Sequence, residues 1–163
     1  MMRGMAVTLT TKMRIADWDE SPVEEFGDGS KLTRAQVRLS DGEDGLASGS
    51  VGMLAYYRPD GTSSFVTVMR LTGILDGRAG SFVLRGEGAF DGTTASGQLT
   101  LVTGSGTGGL AGISGTCESV STHADYPFMP LRLAYELACA RTTAPPRRTC
   151  WARWRSPWPT RSR

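Results

Sequence analysis

The sequence predicts an all-β protein, an eight-stranded antiparallel up-and-down barrel, and three observations carry that expectation. Asp60-Gly61, Asp76-Gly77 and Asp91-Gly92 fall 15 or 16 residues apart. Asp-Gly between apolar runs marks a tight hairpin, because a primed turn needs the positive φ that glycine takes without penalty. The runs between these turns alternate apolar and polar residues with period two, as strands with one face in a core do. Before residue 138 no segment shows the 3.6-residue apolar period of an amphipathic helix. Eight such strands with short connections remove their exposed edges by closing into a barrel; a two-sheet sandwich is the alternative.

Taken in order, Val7–Ala16 reads as the first strand, with Val7, Leu9, Met13 and Ile15 on one side and Lys12 and Arg14 on the other. Asp17–Pro22 is expected to end it in a solvated acidic loop that runs to Gly29 and holds six carboxylates. That loop lacks the regular ligand spacing of a calcium site, and its Trp18 is expected to lid one end of the core. Leu32–Ser40 makes a second strand, with Ala35, Val37 and Leu39 inward and Arg34, Gln36 and Arg38 outward. Strands three to six are placed at 46–57, 63–72, 80–90 and 94–103. The connection GSGTGG at 104–109 matches a dinucleotide fingerprint in letters only, since no helix follows to present its amides to a pyrophosphate. It is expected to be a flexible turn. Leu110–Val120 and Leu131–Leu137 complete the set, joined by the loop STHADYPFMP.

The turns assign faces. If Asp60-Gly61 is a two-residue turn, Gly52 lies opposite Met69, Leu54 opposite Thr67 and Tyr56 opposite Phe65. The same pairing brings Leu71, Phe82, Leu84, Gly86, Gly88, Phe90, Gly97, Leu99 and Leu101 to that apolar side. Arg70, Arg85, Glu87, Gln98 and Thr100 fall on the polar side.

Composition bounds the rest. The 163 residues make one domain's worth of chain. No apolar run approaches the ~20 residues of a membrane span, and the first residues lack the apolar stretch of a signal peptide, so a cytoplasmic protein is expected. Cys117, Cys139 and Cys150 have neither disulfide nor zinc spacing, so no metal site is expected. Cys117 reads as a small buried hydrophobe. Residues 138–163 hold seven arginines and no acid, while residues 1–137 hold 11 basic and 16 acidic groups, a net of −5. The organisation is therefore a barrel domain at 7–137 and a basic Pro/Arg/Trp-rich tail at 138–163. Four prolines forbid regular structure over most of that tail, which is expected to be disordered. Specific nucleic-acid binding is not expected from the acidic body.

The segments WDESP (18–22), KLTRAQV (31–37), YRPDGTSSFV (57–66), GRAGSFVL (77–84) and GSGTGGLAGISG (104–115) resemble the bacterial domain-of-unknown-function family 3224. That family looks related to the allene oxide cyclase barrels and, more distantly, to dirigent and lipocalin-type barrels. Over about residues 7–137 the resemblance implies an eight-stranded barrel with a small-molecule cavity, often dimeric or trimeric. Relatives tend to carry acidic residues where Gly52 and Met69 stand here, and a polar residue, often His, at the position of Gly86. The polar centre of the relatives is therefore expected to be absent or altered.

The expected interior contains no Asp, Glu, Lys, Arg or His, so general acid–base catalysis lacks its titratable group. The single histidine, His123, sits in a loop. Two function classes remain open. One is a cofactor-free cyclase or isomerase that folds a polyene or polyketide-like substrate of secondary metabolism into one conformer, with Tyr56, Thr67 and Tyr135 as the catalytic hydroxyls. Trp18, Leu54, Phe65, Met69, Phe82, Leu84, Gly86, Phe90, Leu99 and Leu101 would then bind the substrate. The other is a non-catalytic carrier of an apolar metabolite. A packed barrel without a cavity is the alternative to both, its glycines serving strand curvature. The glycines at 52, 86, 88 and 97 are expected to leave room in one zone, which Gly86→Phe would fill without unfolding the protein.

A chain ended at Leu137 should melt within a few degrees of the full chain by calorimetry. Any polyanion binding should disappear with the removed residues and fall steeply with salt before that. Salt-resistant binding by residues 1–137 would contradict this.

Overall fold

Alternation along each strand becomes a ring of sheet because every strand finds its partner in the next and the last finds the first. The computed structural model describes residues 6–137; the expected tail lies outside the described residues. The strands are β1 (Val7–Glu25), β2 (Lys31–Ser40), β3 (Leu46–Tyr57), β4 (Ser63–Leu75), β5 (Arg78–Phe90), β6 (Thr94–Leu101), β7 (Ser114–Thr122) and β8 (Phe128–Glu136). They form one closed antiparallel barrel in chain order. The only helical pieces among the described residues are two 3₁₀ turns, Gly108–Leu110 and His123–Asp125. No described helix is long and apolar enough to cross a membrane.

The first strand corrects the expected acidic loop. β1 continues through Asp17–Glu25, because its two halves serve different partners: Val7–Arg14 pairs with β8, and Arg14–Glu25 pairs with β2. A bulge at Ala16 lets Ile15 face Leu39 and Asp17 face Arg38. Asp17 and Asp19 therefore point out while Trp18 and Glu20 take the inner side, opposite Val37 and Ala35. Pro22 sits beside a second register shift, between Pro22 and Glu24, an irregularity of the kind that accommodates proline in a strand.

The turn after β3 corrects three more positions. Arg58 donates its N–H to the Thr62 carbonyl (2.8 Å), and Gly61 donates to the Arg58 carbonyl (3.0 Å) with φ +89°. This is a three-residue hairpin loop with glycine in the left-handed bulge position, not the two-residue turn that Asp-Gly suggests. Ala55 then pairs with Phe65 and Leu54 with Val66, one residue away from the expected register. A one-residue slip inverts a whole strand. Val51, Met53, Ala55 and Tyr57 are inside; Gly52, Leu54 and Tyr56 are outside, Leu54 at 53 % and Tyr56 at 37 % exposure. The other two turns preserve the expected faces. Leu75 pairs with Arg78 around a true two-residue turn, Asp76 at φ 49° and Gly77 at φ 73°. Phe90 pairs with Ala95, so that loop is longer by an even number of residues.

The middle of the barrel is filled. Met13, Leu71, Phe82, Leu84 and Leu133 are 0 % exposed, so no water-sized void touches them. Met69, Leu99, Leu101 and Cys117 belong to the same cluster. One end is closed by the segment that resembled a dinucleotide fingerprint. Thr107 donates its N–H to the Ser81 carbonyl (2.8 Å), Ser105 Oγ accepts from Val83 N–H (3.0 Å), and Leu110 and Ile113 are buried against the core. The expected flexible turn is thus a bonded plug, and β7 begins only at Ser114 because 108–113 serve as that plug.

Gly86 does not open a cavity. A Cβ there would run into the Gln98 carbonyl oxygen and lie 2.7 Å from Leu99 Cα; at Gly88 it would meet the Phe65 ring at 2.5 Å. These glycines let β5 and β6 approach and Phe65 lie across them, as strand-curvature glycines do. Gly86→Ala should therefore destabilise by about 1–3 kcal/mol through overpacking, and Gly86→Phe should prevent folding. Gly52→Ala, whose Cβ meets nothing within 4 Å, should leave the denaturation midpoint unchanged or slightly raised. Equal midpoints for Gly86→Ala and wild type would show that β5 and β6 can separate there.

Candidate functional site

The end of the barrel opposite the plug holds a pocket, and the second half of β1, Arg14–Glu25, runs along it. Glu20 stands at this mouth as the single point of a small polar cluster. Its Oε2 accepts from Thr33 Oγ1 (2.8 Å) and Tyr57 Oη (2.9 Å), and its Oε1 accepts from Trp18 Nε1 (3.0 Å). Lys31 Nζ lies over the Tyr57 ring, 5.3 Å from its centroid. Partial burial pushes the Glu20 carboxyl up. The bonds from Thr33, Trp18 and Tyr57, with the Lys31 charge, outweigh this and hold it below its ordinary value. Burial, the bond to Glu20 and the negative charge of Glu20 push the Tyr57 phenol up to about 12. Tyr57 is therefore a donor to the carboxylate at neutral pH, not a base.

Trp18 joins this cluster to a pocket of about 190 Å³. Ile15, Trp18, Phe90, Tyr126 and Phe128 supply apolar wall, and Thr93, Thr122 and His123 stand among them. His123 meets Phe90 edge-on, with ring centroids 6.1 Å apart. Its 3₁₀ turn is pinned by Asp125, which accepts from Thr122 N–H (2.8 Å) and Thr122 Oγ1 (3.2 Å). A second, wider hollow of about 510 Å³ lies on the outer face over Gly52, bordered by Asp17, Arg38, Ser50, Val68 and Arg70. Long solvated side chains form its rim, and Arg70 already donates to Ser81 Oγ (3.2 Å).

The expected site residues do not converge. Tyr56 is outside, where it packs on Phe26 (6.5 Å between centroids) and under Arg58. Thr67 is inside but donates to the Gly52 carbonyl (3.2 Å), and Tyr135 is near the plugged end, donating to Asp76 (3.2 Å). Leu54 is outside, and Gly86 has no space before it. Met69, Phe82, Leu84, Leu99 and Leu101 are buried in the filled core, with Phe65 half-buried above them. Trp18 and Phe90 alone of the expected residues line the mouth pocket. Cys117 is buried as expected, and burial pushes its thiol up to about 12. Glu20, Thr33 and Tyr57 escaped the sequence reading. The alternation Asp17, Trp18, Asp19, Glu20 did carry a strand signal, hidden behind its charge. Among the described residues no three His, Cys, Asp or Glu side chains are grouped to hold a metal ion.

Against known proteins, residues 9–133 match a family model described as a protein of unknown function, DUF3224. No curated protein matches the chain. Among solved structures, a protein of unknown function from the DUF3224 family of Shewanella oneidensis MR-1 is similar with a TM-score of 0.62 and 24 % identity. The likeness covers 82 % of this chain and 98 % of that one; at this identity it speaks for the fold alone.

The cluster makes a pH-dependent prediction. Because the carboxyl of Glu20 sits lower in the folded state, its stabilisation is present above its unfolded value of 4.5 and is lost as pH falls through the folded value. Glu20→Gln should lower the melting temperature above pH ~5, and the gap to wild type should narrow as the pH is taken down towards 3. The exposed carboxylates shared by both proteins cancel in that difference. A gap that stays constant with pH would show that Glu20 acts by shape alone.

Proposed function

The chain belongs to the DUF3224 family, and we propose that this member is a non-catalytic binder of a small, largely apolar molecule held at the barrel mouth. The observation that supports this reading is the contrast between the two ends. A pocket with an aromatic wall opens at one end of a barrel whose middle is filled and whose other end is plugged. Ligand sites of this kind are concave, mostly apolar and set in the mouths of barrels, with a few placed polar groups. The pocket suits a compact molecule, or one end of a longer one, rather than a folded polyene inside the barrel.

A templating cyclase or isomerase asks for hydroxyls gathered around one substrate. Here Tyr56, Thr67 and Tyr135 occupy the outside, the middle and the plugged end, two of them already bonded to protein acceptors. The binder reading needs no such convergence. It also accounts for the fixed indole: a Trp held by a carboxylate presents a rigid face at little conformational cost on binding.

Titration of the full chain with indole, followed by ¹H–¹⁵N spectra, tests this. Saturable shifts are expected at the Trp18 indole N–H and at the amides of Phe90 and Phe128, with a dissociation constant near 1 mM, about −4 kcal/mol. Phe90→Ala should weaken binding by roughly tenfold, or about 1.4 kcal/mol, whereas Leu54→Ala should leave it unchanged. Shifts confined to Gly52 and Val68 would move the site to the outer hollow, and absence of saturable binding would end the mouth reading.

A further inference from the structure

The mouth pocket carries a charge preference as well as a shape. Four of its wall residues, Trp18, Phe90, Tyr126 and Phe128, are aromatic. The Trp18 indole N–H is committed to Glu20 Oε1 at 3.0 Å, so what Trp18 offers the pocket is ring surface. A carboxylate accepting from that N–H enriches the indole π-system, and a negative ring face attracts cations over anions or neutral groups. Glu20 thus stands directly behind the aromatic wall, and Asp125 is fixed at the rim by its bonds to Thr122. Of the cations nearby, Lys31 lies on the far side of the cluster over the Tyr57 ring, and Arg14, the cross-strand partner of Phe128, is exposed to solvent.

Resting on the mouth reading, we infer that the ligand class of this pocket is an organic cation, an alkylated or quaternary ammonium group seated on the aromatic wall with Glu20 behind it. A quaternary ammonium carries its charge on an apolar surface and needs no hydrogen-bond acceptor from the pocket, and each added alkyl group moves an amine towards that limit. An aromatic wall with a carboxylate in second position answers both properties. A primary ammonium would ask for a carboxylate in direct contact, and Glu20 does not line the pocket and already accepts from Thr33, Tyr57 and Trp18.

The test compares choline with its neutral isostere 3,3-dimethylbutan-1-ol on the full chain, following the Trp18 indole N–H by NMR. Choline should bind roughly tenfold more tightly than the alcohol, the ratio expected for a partly desolvated cation–π contact. Glu20→Gln should lower the ratio several-fold; any loss of Trp18 positioning weakens both ligands and cancels in the ratio, and the aromatic wall keeps what preference remains. If that variant does not fold, the ratio in the wild type should still fall as the salt concentration is raised, because the Glu20 field is screened. An alcohol that binds as well as choline would overturn the cation inference and leave the mouth reading standing, as would binding of indole without binding of choline. Absence of saturable indole binding would overturn the mouth reading and this inference with it.

Discussion

Closure of the ring is the constraint on which the rest of this structure depends. In an open sheet a strand that slips by one residue exposes its apolar side chains and finds some other partner. In a closed barrel β3 must satisfy β2 and β4 together, so the number of residues in each turn decides which side chains are inside. The three-residue loop at Pro59–Gly61 places Tyr57, not Tyr56, on the inner face. Tyr57 can then reach Glu20, and Leu54 is left on the outer surface beside Val66. A single residue of turn length therefore separates a polar cluster at the mouth from no cluster at all.

The same constraint explains why β1 is so long. It must close the ring with β8 and also pair with β2, and it does these with successive halves. The bulge at Ala16 lies at the junction, where a bulge bends a strand and re-aims the side chains beyond it. Here those side chains are Trp18 and Glu20. The carboxylates at Asp17 and Asp19 face water, as their charge requires, while Glu20 turns inward only because Thr33, Tyr57 and Trp18 meet it with three donors. A carboxylate in that position without those donors would be costly. The functional candidate is thus a consequence of how the barrel is closed.

Fold and site were unequally legible in the sequence. Period-two alternation and the Asp-Gly turns reveal eight strands, because burial on one face is written into side-chain type at every second position. The inward sides of β2, β4, β5 and β6 follow from the same rule. The site was less visible for two physical reasons. Asp-Gly is compatible with two-residue and three-residue loops alike, since both need a left-handed glycine, and the choice between them inverts β3. In addition, a charged run such as Asp17–Glu25 resembles a solvated loop unless the donors that neutralise one of its members are known, and those donors lie 13 and 37 residues further along the chain. Of the expected residues Trp18 and Phe90 line the mouth pocket, and both stand out in the sequence as large aromatic side chains among charged or glycine-rich neighbours.

The glycines help decide where a ligand can go. In the interior, Gly86 and Gly88 are occupied by the neighbouring backbone and by the Phe65 ring, so missing side chains there have become close strand contact rather than volume. Space lost from the middle is consistent with a barrel that shrinks until its core is dense, because unfilled volume forfeits dispersion contacts. The mouth cannot shrink in the same way. Its rim is built from β1 around the bulge, the β5–β6 turn, the pinned turn at His123–Asp125 and the start of β8, pieces whose backbones are fixed by closure, capping and pairing. A pocket persists where backbone hydrogen bonds, rather than side-chain packing, set the spacing of the elements around it, and in this barrel that condition is met at the Trp18 end.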